Sequence, residues 1–388
     1  MKLAIVTTHP IQYNAPWFRL LSEQDNVDVR VFYTWEQSNQ PAKYDPGFGK
    51  VIEWDLPLLE GYNYTFVKNI SEDPGSHHYK GIINPTLNAE IENWGAEAVL
   101  VFGWPFNSHL KCMRYFHKKI PVLFRGDSTL LNEQGGLKKI ARRLFLKYVY
   151  SFVDYALYVG ANNKDYFLAH GLKESELVFV PHAIDNDRFA KDADRYEKEA
   201  TDWRHELGIK DDHFTVLYAG KFDTVKNPAF LLQVAKKVTE ANVRFILIGN
   251  GPLEKEMKQS TNDPRVIFLD FQNQKRMPVV YRLGDVFVMS SVSETWGLGI
   301  NEAMACGRLI VTNNKVGCAV DLVKEGENGI VINKGDVDAA AKYITTAMNE
   351  KHRVNKAKDF NKIMLETYSF KTLVANMSGL LKEIAAKK

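Results

Sequence analysis

Short apolar strands alternate with helical stretches along the whole chain, and this alternation constrains the fold more than any other feature. Runs rich in β-branched and aromatic residues, each followed by a helical segment, are typical of parallel βαβ units. Two sets of runs occur. The first lies near 4–7, 29–33, 99–102, 122–124, 156–159 and 178–180, and the second near 215–219, 244–248, 266–269, 286–289, 309–312 and 330–332. The pattern predicts an α/β protein with two Rossmann-like domains.

The length of 388 residues exceeds what one core usually supports, which also favours two domains. Residues 186–212 are rich in charge and poor in aliphatic side chains, so we expect them to link the domains. The predicted domains cover 1–185 and 213–367, and 368–388 is expected to form a final helix. The aromatic-rich stretch 36–95 is too long for an ordinary connection, which indicates a functional loop or small subdomain.

Composition excludes several classes of protein. With 45% hydrophobic and 25% charged residues the chain is globular, and a net charge of +3 gives no general case for nucleic acid. Its three cysteines are too few and too scattered for a disulfide framework or a four-cysteine zinc site, which favours a reducing compartment. No apolar run reaches the roughly 18 residues of a membrane span. We therefore expect a cytoplasmic protein without a metal or cofactor.

Two glutamates, Glu294 and Glu302, lie where a predicted strand hands over to a predicted helix over 302–306 that ends at Gly307. In open α/β sheets ligands bind at the carboxyl ends of the strands. Carboxylates accept paired hydrogen bonds from vicinal hydroxyls, and the amides of a helix N-terminus favour phosphate. The junction is thus expected to bind a sugar nucleotide.

Lys221 and Lys226 flank another predicted strand-to-helix turn, so both ammonium groups can reach one anion. Two lysines suit a diphosphate without a metal. The alternative is two solvated loop lysines. The turn Gly249-Asn250-Gly251 completes neither a dinucleotide fingerprint nor a P-loop, so as a glycine pattern it is weak.

Taken in order, the motifs of the second half resemble the retaining glycosyltransferases of family 4, which have the GT-B architecture. The matching segments are 180–185 (Val-Pro-His-Ala-Ile-Asp), 219–221 with 226–227, 248–252 (Ile-Gly-Asn-Gly-Pro), 269–271, 285–287 and 293–307. The resemblance implies two domains facing across a cleft, a C-terminal helix that returns to the first domain, and metal-independent transfer from a nucleotide diphosphate sugar. Within this family, the chain resembles in particular the bacterial members that act in polysaccharide biosynthesis.

The resemblance also implies roles for residues. Lys221 and Lys226 would bind the donor diphosphate, Glu294 the donor sugar and Glu302 the ribose diol. A base pocket is expected near Phe271 and Gln272. The further expected donor-binding residues are Gly220, Asn227, Gly251, Thr295, Trp296, Gly297 and Leu298.

The first half matches the family more loosely. Residues 8–16 resemble the opening of polysaccharide-cluster members but lack the glycines found in other members, and Phe102-Gly-Trp-Pro stands where many carry a histidine. We expect His9, Arg125 and Asp127 to contribute polar groups to the reaction. The alternative for Arg125 and Asp127 is a local ion pair. Metal binding at the adjacent His77 and His78 is not expected.

Residues 135–149 predict a basic amphipathic helix. Its two faces carry the apolar residues Leu137, Ile140, Ala141, Leu144, Phe145 and Tyr148, and the cations Lys138, Lys139, Arg142, Arg143 and Lys147. This pattern indicates that the helix binds to an anionic membrane surface. The alternative is a helix packed on its own sheet.

The sequence thus predicts a glycosyltransferase whose acceptor is a glycan or lipid-linked glycan, located in the cytoplasm or peripherally at the inner face of the cell membrane. Two other functions stay open. One is a sugar-nucleotide epimerase of the same architecture, and the other is a non-catalytic sugar-nucleotide-binding protein.

Overall fold

The computed structural model of the chain describes residues 1–39, 42–45, 48–53, 55–133, 135–350 and 352–387. The chain divides into two compact units. The first unit comprises Met1–Pro41, Pro57–His182 and Phe370–Lys388, and the second comprises Ala42–Leu56 and Ala183–Ser369.

The strands of the described residues are β1 (Lys2–Thr7), β2 (Asp28–Tyr33), β3 (Ala42–Asp45), β4 (Lys50–Glu53), β5 (Asn63–Phe66), β6 (Ala98–Phe102), β7 (Val122–Arg125), β8 (Tyr155–Tyr158), β9 (Leu177–Phe179), β10 (Phe214–Ala219), β11 (Val243–Ile248), β12 (Val266–Leu269), β13 (Val286–Met289), β14 (Leu309–Asn313) and β15 (Gly329–Ile332). The α-helices are α1 (Ala15–Ser22), α2 (Leu87–Trp94), α3 (Asn107–Phe116), α4 (Leu137–Tyr150), α5 (Ala161–Ala169), α6 (Asn186–Ala190), α7 (Ala193–Glu206), α8 (Ala229–Lys237), α9 (Glu254–Gln259), α10 (Met277–Arg282), α11 (Leu298–Ala305), α12 (Ala319–Leu322), α13 (Val337–Asn349), α14 (His352–Thr367) and α15 (Phe370–Ala386).

The first unit is built on a parallel sheet in the order β5-β2-β1-β6-β7-β8-β9. The strand order reverses between β1 and β6, because the chain adds β2 on one side of β1 and β6 on the other. Helix α15 packs on α1 and β9 of this unit, where Asn376 Nδ2 donates to the Phe179 carbonyl at 2.8 Å. The last helix therefore belongs with the first sheet, as the resemblance implies.

The second unit has a parallel sheet in the order β12-β11-β10-β13-β14-β15. Its order reverses between β10 and β13. Strand residues such as Val216, Phe245, Val288 and Val311 are fully buried and form its core with helices on the sheet faces. The two parallel sheets confirm the predicted pair of Rossmann-like halves, and a strand was found at each of the twelve predicted positions.

The structure differs from the predicted division into domains mainly in residues 36–95. Strand β5 extends the first sheet, whereas β3 and β4 form an antiparallel hairpin that belongs to the second unit. Asn273 Nδ2 donates to the Glu53 carbonyl at 2.6 Å, and the Lys275 amide donates to the Asp55 carboxylate at 3.1 Å. These hydrogen bonds hold a piece of the predicted first domain on the second.

The predicted linker is helical and part of the second unit. Asp185 caps α6 by accepting a hydrogen bond from the Arg188 amide at 3.1 Å. Glu197 on α7 contacts the guanidinium groups of Arg282 and Arg308, both of which are buried. The high charge of 186–212 therefore reflects ion pairs on a helix surface, not a flexible connection.

Candidate functional site

The residues assigned to the diphosphate lie in the turn that follows β10. The Tyr218 hydroxyl donates to the Lys221 carbonyl at 2.8 Å, and Asp223 accepts from the Lys226 amide at 2.7 Å. Asn227 has a positive φ of 51°, and the Ser290 hydroxyl donates to its carbonyl at 2.8 Å. The turn is thus fixed at both ends and held against the end of β13 before α8 begins.

A close backbone approach fixes the neighbouring turn. A Cβ on Gly249 would lie 1.9 Å from the Gly220 carbonyl oxygen, so only glycine fits there. Asn250 then joins two loops, because its side chain donates to Asp270 at 3.0 Å and accepts from the Phe271 amide at 3.0 Å. The expected base-side residue Phe271 is therefore tied to the turn that contains Gly251.

The carboxylate of Glu294 contacts the ammonium of Lys226 directly. Both side chains are partly buried, so salt screens the attraction between them less than it would screen an exposed ion pair. The backbone of Glu294 is also fixed, since its amide donates to the Lys315 carbonyl at 3.1 Å and its carbonyl accepts from the Gly317 amide at 3.0 Å. Structure thus brings together two residues that the resemblance assigns to the diphosphate and the donor sugar.

Glu302 lies on α11, which begins at Leu298 and not at residue 302 as the sequence pattern predicted. Its carboxylate is buried and accepts a hydrogen bond from the Tyr281 hydroxyl at 2.6 Å. Gly297 ends the preceding loop with a φ of 107°, whereas Gly299 lies within the helix. Glu302 is therefore in the second turn of the helix.

Two other expected donor-binding residues have side chains engaged in the protein. Trp296 is buried, donates its indole N–H to Asn301 at 3.0 Å and packs on Tyr368. The side-chain Nε2 of Gln272 donates to the backbone carbonyl of Asp270 at 3.1 Å. Donor contacts at Trp296 therefore require its backbone.

In the first unit, Arg125 does not form a simple ion pair. Its guanidinium is buried and donates to the carbonyls of Val180 and Pro181 at 2.8 and 3.2 Å. Burial lowers the pKa of Arg125 to about 10, and the charge of Asp127 opposes that shift. Arg125 thus joins β7 to the segment after β9.

Asp127 faces His182 instead, with 3.7 Å between its carboxylate oxygen and the His182 Nε2. Burial lowers the pKa of His182, so the imidazole is neutral at pH 7. Sequence reasoning did not single out His182. The available signal was its place directly after a predicted strand, in the same motif as Asp185, because the carboxyl ends of parallel strands share one edge.

His9 follows β1, at the point where the first sheet reverses its order. The Thr8 hydroxyl and His9 Nδ1 are 2.9 Å apart, and the ring packs edge-on against Trp35. His9 therefore lies just beyond the carboxyl end of a central strand of the first sheet.

Asp73, His77 and His78 form a small exposed group in which both imidazoles approach the carboxylate, at 3.1 and 3.3 Å. Among the residues that the structure describes, this is the group with metal-ligand spacing. It lies in the first unit, and its geometry is that of surface contacts between imidazole and carboxylate groups.

Helix α4 exposes the apolar face that the sequence predicted. Leu137 and Leu144 are 84% and 66% exposed, and Ile140, Phe145 and Tyr148 are exposed as well. The helix packs on its unit through the sequence-adjacent side chains Leu146, Val149 and Tyr150. The helix therefore packs on its own unit, as the alternative interpretation expected, but through these three side chains and not through the predicted apolar face.

Two of the cations on α4 contact a carboxylate. Lys139 and Arg143 contact Glu133 at 2.7 and 3.0 Å, and their hydrogen bonds, that of Lys139 foremost, lower the pKa of this carboxyl. Lys138 and Arg142 are exposed. None of the helices in the described parts of the chain is long and apolar enough to cross a membrane.

Comparison with known proteins bears on this geometry. Residues 199–364 match the family model described as glycosyl transferases group 1. An uncharacterized glycosyltransferase of Methanocaldococcus jannaschii is 26% identical over 48% of this chain and 49% of its own length. An Escherichia coli relative, UDP-Gal:alpha-D-GlcNAc-diphosphoundecaprenol alpha-1,3-galactosyltransferase, is 26% identical over 45% of this chain and 46% of its own. The chain spans about half, or less, of the length of these curated relatives.

A solved structure covers the whole chain. HepE of Anabaena, in complex with UDP and glucose, is 16% identical with a TM-score of 0.70, over 99% of this chain and 100% of that one. At this identity the likeness shows the fold, which is GT-B. Residues 199–364 thus resemble the glycosyl transferases of group 1, in agreement with the resemblance noted from the sequence motifs.

We predict that Gly317→Ala destabilises the second unit. An added Cβ would lie 1.8 Å from the Thr295 carbonyl oxygen, so the loop that carries Glu294 must move. Overpacking of this kind costs about 1–3 kcal/mol, and the melting temperature should fall by several degrees. The control is Gly379→Ala on α15, where no atom lies within 4 Å of the added Cβ. An unchanged melting temperature in Gly317→Ala would contradict this close contact.

Proposed function

We propose that this protein transfers a sugar from a nucleoside diphosphate donor to a glycan or lipid-linked acceptor, with retention of anomeric configuration and without a metal ion. One observation carries the proposal. At the carboxyl ends of β10 and β13, where the second sheet reverses its order, Lys221, Lys226 and Glu294 are gathered within two fixed loops. This is the edge at which open α/β sheets bind their ligands.

In the proposed reaction, the bond between the anomeric carbon and the diphosphate oxygen breaks, and the acceptor oxygen bonds to that carbon on the same face. The leaving diphosphate keeps the electron pair and, through a phosphate oxygen, takes the acceptor proton, as the resemblance implies. The ammonium groups of Lys221 and Lys226 stabilise the charge that develops on the phosphate oxygens. No side chain is needed as the base.

The two glutamates have separate roles in this proposal. Glu302, whose carboxylate accepts from the Tyr281 hydroxyl, is the proposed partner of the ribose diol, since carboxylate oxygens accept hydrogen bonds from hydroxyls. Glu294 binds the donor sugar, and its contact with Lys226 places the sugar side of the site next to the diphosphate side. His9 and the Asp127–His182 pair, in the first unit, are the proposed contacts of the acceptor.

Helix α4 supports a membrane-associated acceptor. An exposed apolar stripe flanked by lysine and arginine suits the boundary between headgroups and acyl chains of an anionic bilayer. The name of the Escherichia coli relative also refers to a lipid diphosphate acceptor. We therefore propose that the enzyme acts peripherally at an anionic membrane surface.

We predict that Lys221→Ala and Lys226→Ala each lower kcat/KM. Each loss should correspond to roughly 2–4 kcal/mol of transition-state stabilisation, because each variant lacks a cation near the charge that develops on the phosphate. Steady-state kinetics with donor and acceptor measure this. Lys236→Ala, an exposed lysine on α8, is the matched control and should match wild type. Normal kcat/KM in both variants, or activity abolished by a chelator and restored by a divalent ion, would overturn the metal-free diphosphate site.

The glutamates are separated by binding measurements. Glu302→Gln should weaken binding of the nucleoside diphosphate itself, whereas Glu294→Gln should spare the nucleotide and weaken only the donor sugar's contribution. Calorimetry with UDP and with UDP-glucose provides the two readouts. Glu325→Gln, an exposed carboxylate of the same unit, should change neither. Equal losses for both ligands in both variants would refute the assignment.

For the membrane, we predict cosedimentation with anionic but not neutral liposomes at low salt. Each cation near the surface adds about 1 kcal/mol, and salt screens that gain. Lys138→Ser/Arg142→Ser should lose the salt-sensitive part of the binding without unpairing Glu133, and Leu137→Ser/Leu144→Ser should weaken binding at low and high salt alike. Both variants should keep UDP binding. Liposome binding that survives all four substitutions would show that another surface is responsible.

A further inference from the structure

The β3–β4 hairpin brings an aromatic side chain from the N-terminal part of the sequence onto the second unit. Phe48, in the turn between its strands, packs on Phe271 with ring centroids 4.7 Å apart and an interplanar angle of 59°. The Nζ of Lys221 lies 5.0 Å from the centroid of the Phe48 ring. One ring thus contacts both the residue assigned to the base side and a lysine assigned to the diphosphate.

The positions of these contacts follow from the sheet order. Lys221 follows β10 and Phe271 follows β12, and β11 lies between those strands. Asn250, after β11, hydrogen-bonds the Phe271 amide and the Asp270 side chain. Phe48 therefore spans three successive strand ends of the second sheet, all on the edge where we place the donor.

Polar contacts from both ends of β4 hold the hairpin there. Lys50 Nζ lies 3.7 Å from the Asp270 carboxylate, and a hydrogen bond from Asn250, then the charge of Lys50, lowers the pKa of Asp270. The Glu53 carbonyl accepts from Asn273 at 2.6 Å.

We propose that Phe48 is a donor-binding residue that forms, with Phe271, an aromatic surface against which the nucleobase of the donor stacks. This inference rests on the proposed function. Bases stack on aromatic rings through their π faces, and such contacts tolerate different bases. Neither ring is buried in the core. Because Phe48 also touches Lys221, the same side chain fixes the distance between the base end and the diphosphate end of the site.

Calorimetric titration of the full-length chain with UDP, ADP, GDP and dTDP tests the proposal. Phe48→Ala should lower the affinity for the preferred nucleotide by about tenfold or more, as the loss of one base-stacking ring does. Phe48→Tyr should restore most of the affinity. The matched control is Val51→Ala on the same hairpin, a side chain 66% exposed, which should bind like wild type.

A double-mutant cycle with Lys221→Ala separates a base contact from an effect on the lysine. If Phe48 binds the base, Phe48→Ala should still weaken nucleotide binding in the Lys221→Ala background, although the losses of two contacting side chains need not multiply. If Phe48→Ala has no effect once Lys221 is removed, the ring acts only through Lys221 and the proposal is wrong. Wild-type affinity in Phe48→Ala also overturns it, while leaving the proposed function intact. Absence of nucleotide binding in the wild type would instead overturn the proposed function, and this inference with it.

Discussion

The contact between the Lys226 ammonium and the Glu294 carboxylate joins two loops that are 68 residues apart in sequence. Each loop leaves a different strand on either side of the point where the second sheet reverses its order. Two opposite charges held partly out of water attract more strongly than they would on the surface, so each fixes the other. The rest of the proposed donor site depends on this pair, because the pair joins the turn after β10 to the loop after β13.

Backbone packing maintains that spacing. Glycines 249 and 317 have no room for a Cβ because the carbonyls of Gly220 and Thr295 pass directly over them. Hydrogen bonds from Ser290 and Asn250 then close the turns onto neighbouring strands. A site for a phosphorylated ligand needs such fixed loops, since electrostatic stabilisation of a transition state is effective only when the charged groups are positioned beforehand.

The surface of the first unit includes large apolar side chains that the fold does not bury. Helix α4 leaves its large apolar side chains in water and buries the smaller set around Val149. Exposed leucine costs free energy in an isolated protein, so a stripe of this size is expected where a partner covers it. The partner that we propose is an anionic bilayer, because the apolar stripe would contact the acyl chains and the flanking cations would contact the headgroups.

Sequence alone determined the two parallel sheets and the edge at which the charged residues gather. Strand and helix patterns are local, and in parallel sheets every strand ends on the same edge, so Lys221, Lys226 and Glu294 had to meet there. The start of α11, the Asp127–His182 pair and the unit that holds the β3–β4 hairpin were decided by tertiary structure. Each depends on contacts between residues far apart in sequence, such as Phe48 with Phe271, and no local periodicity encodes them. The same holds for α4: its pattern shows an apolar face, but only packing decides whether that face meets the sheet or the solvent.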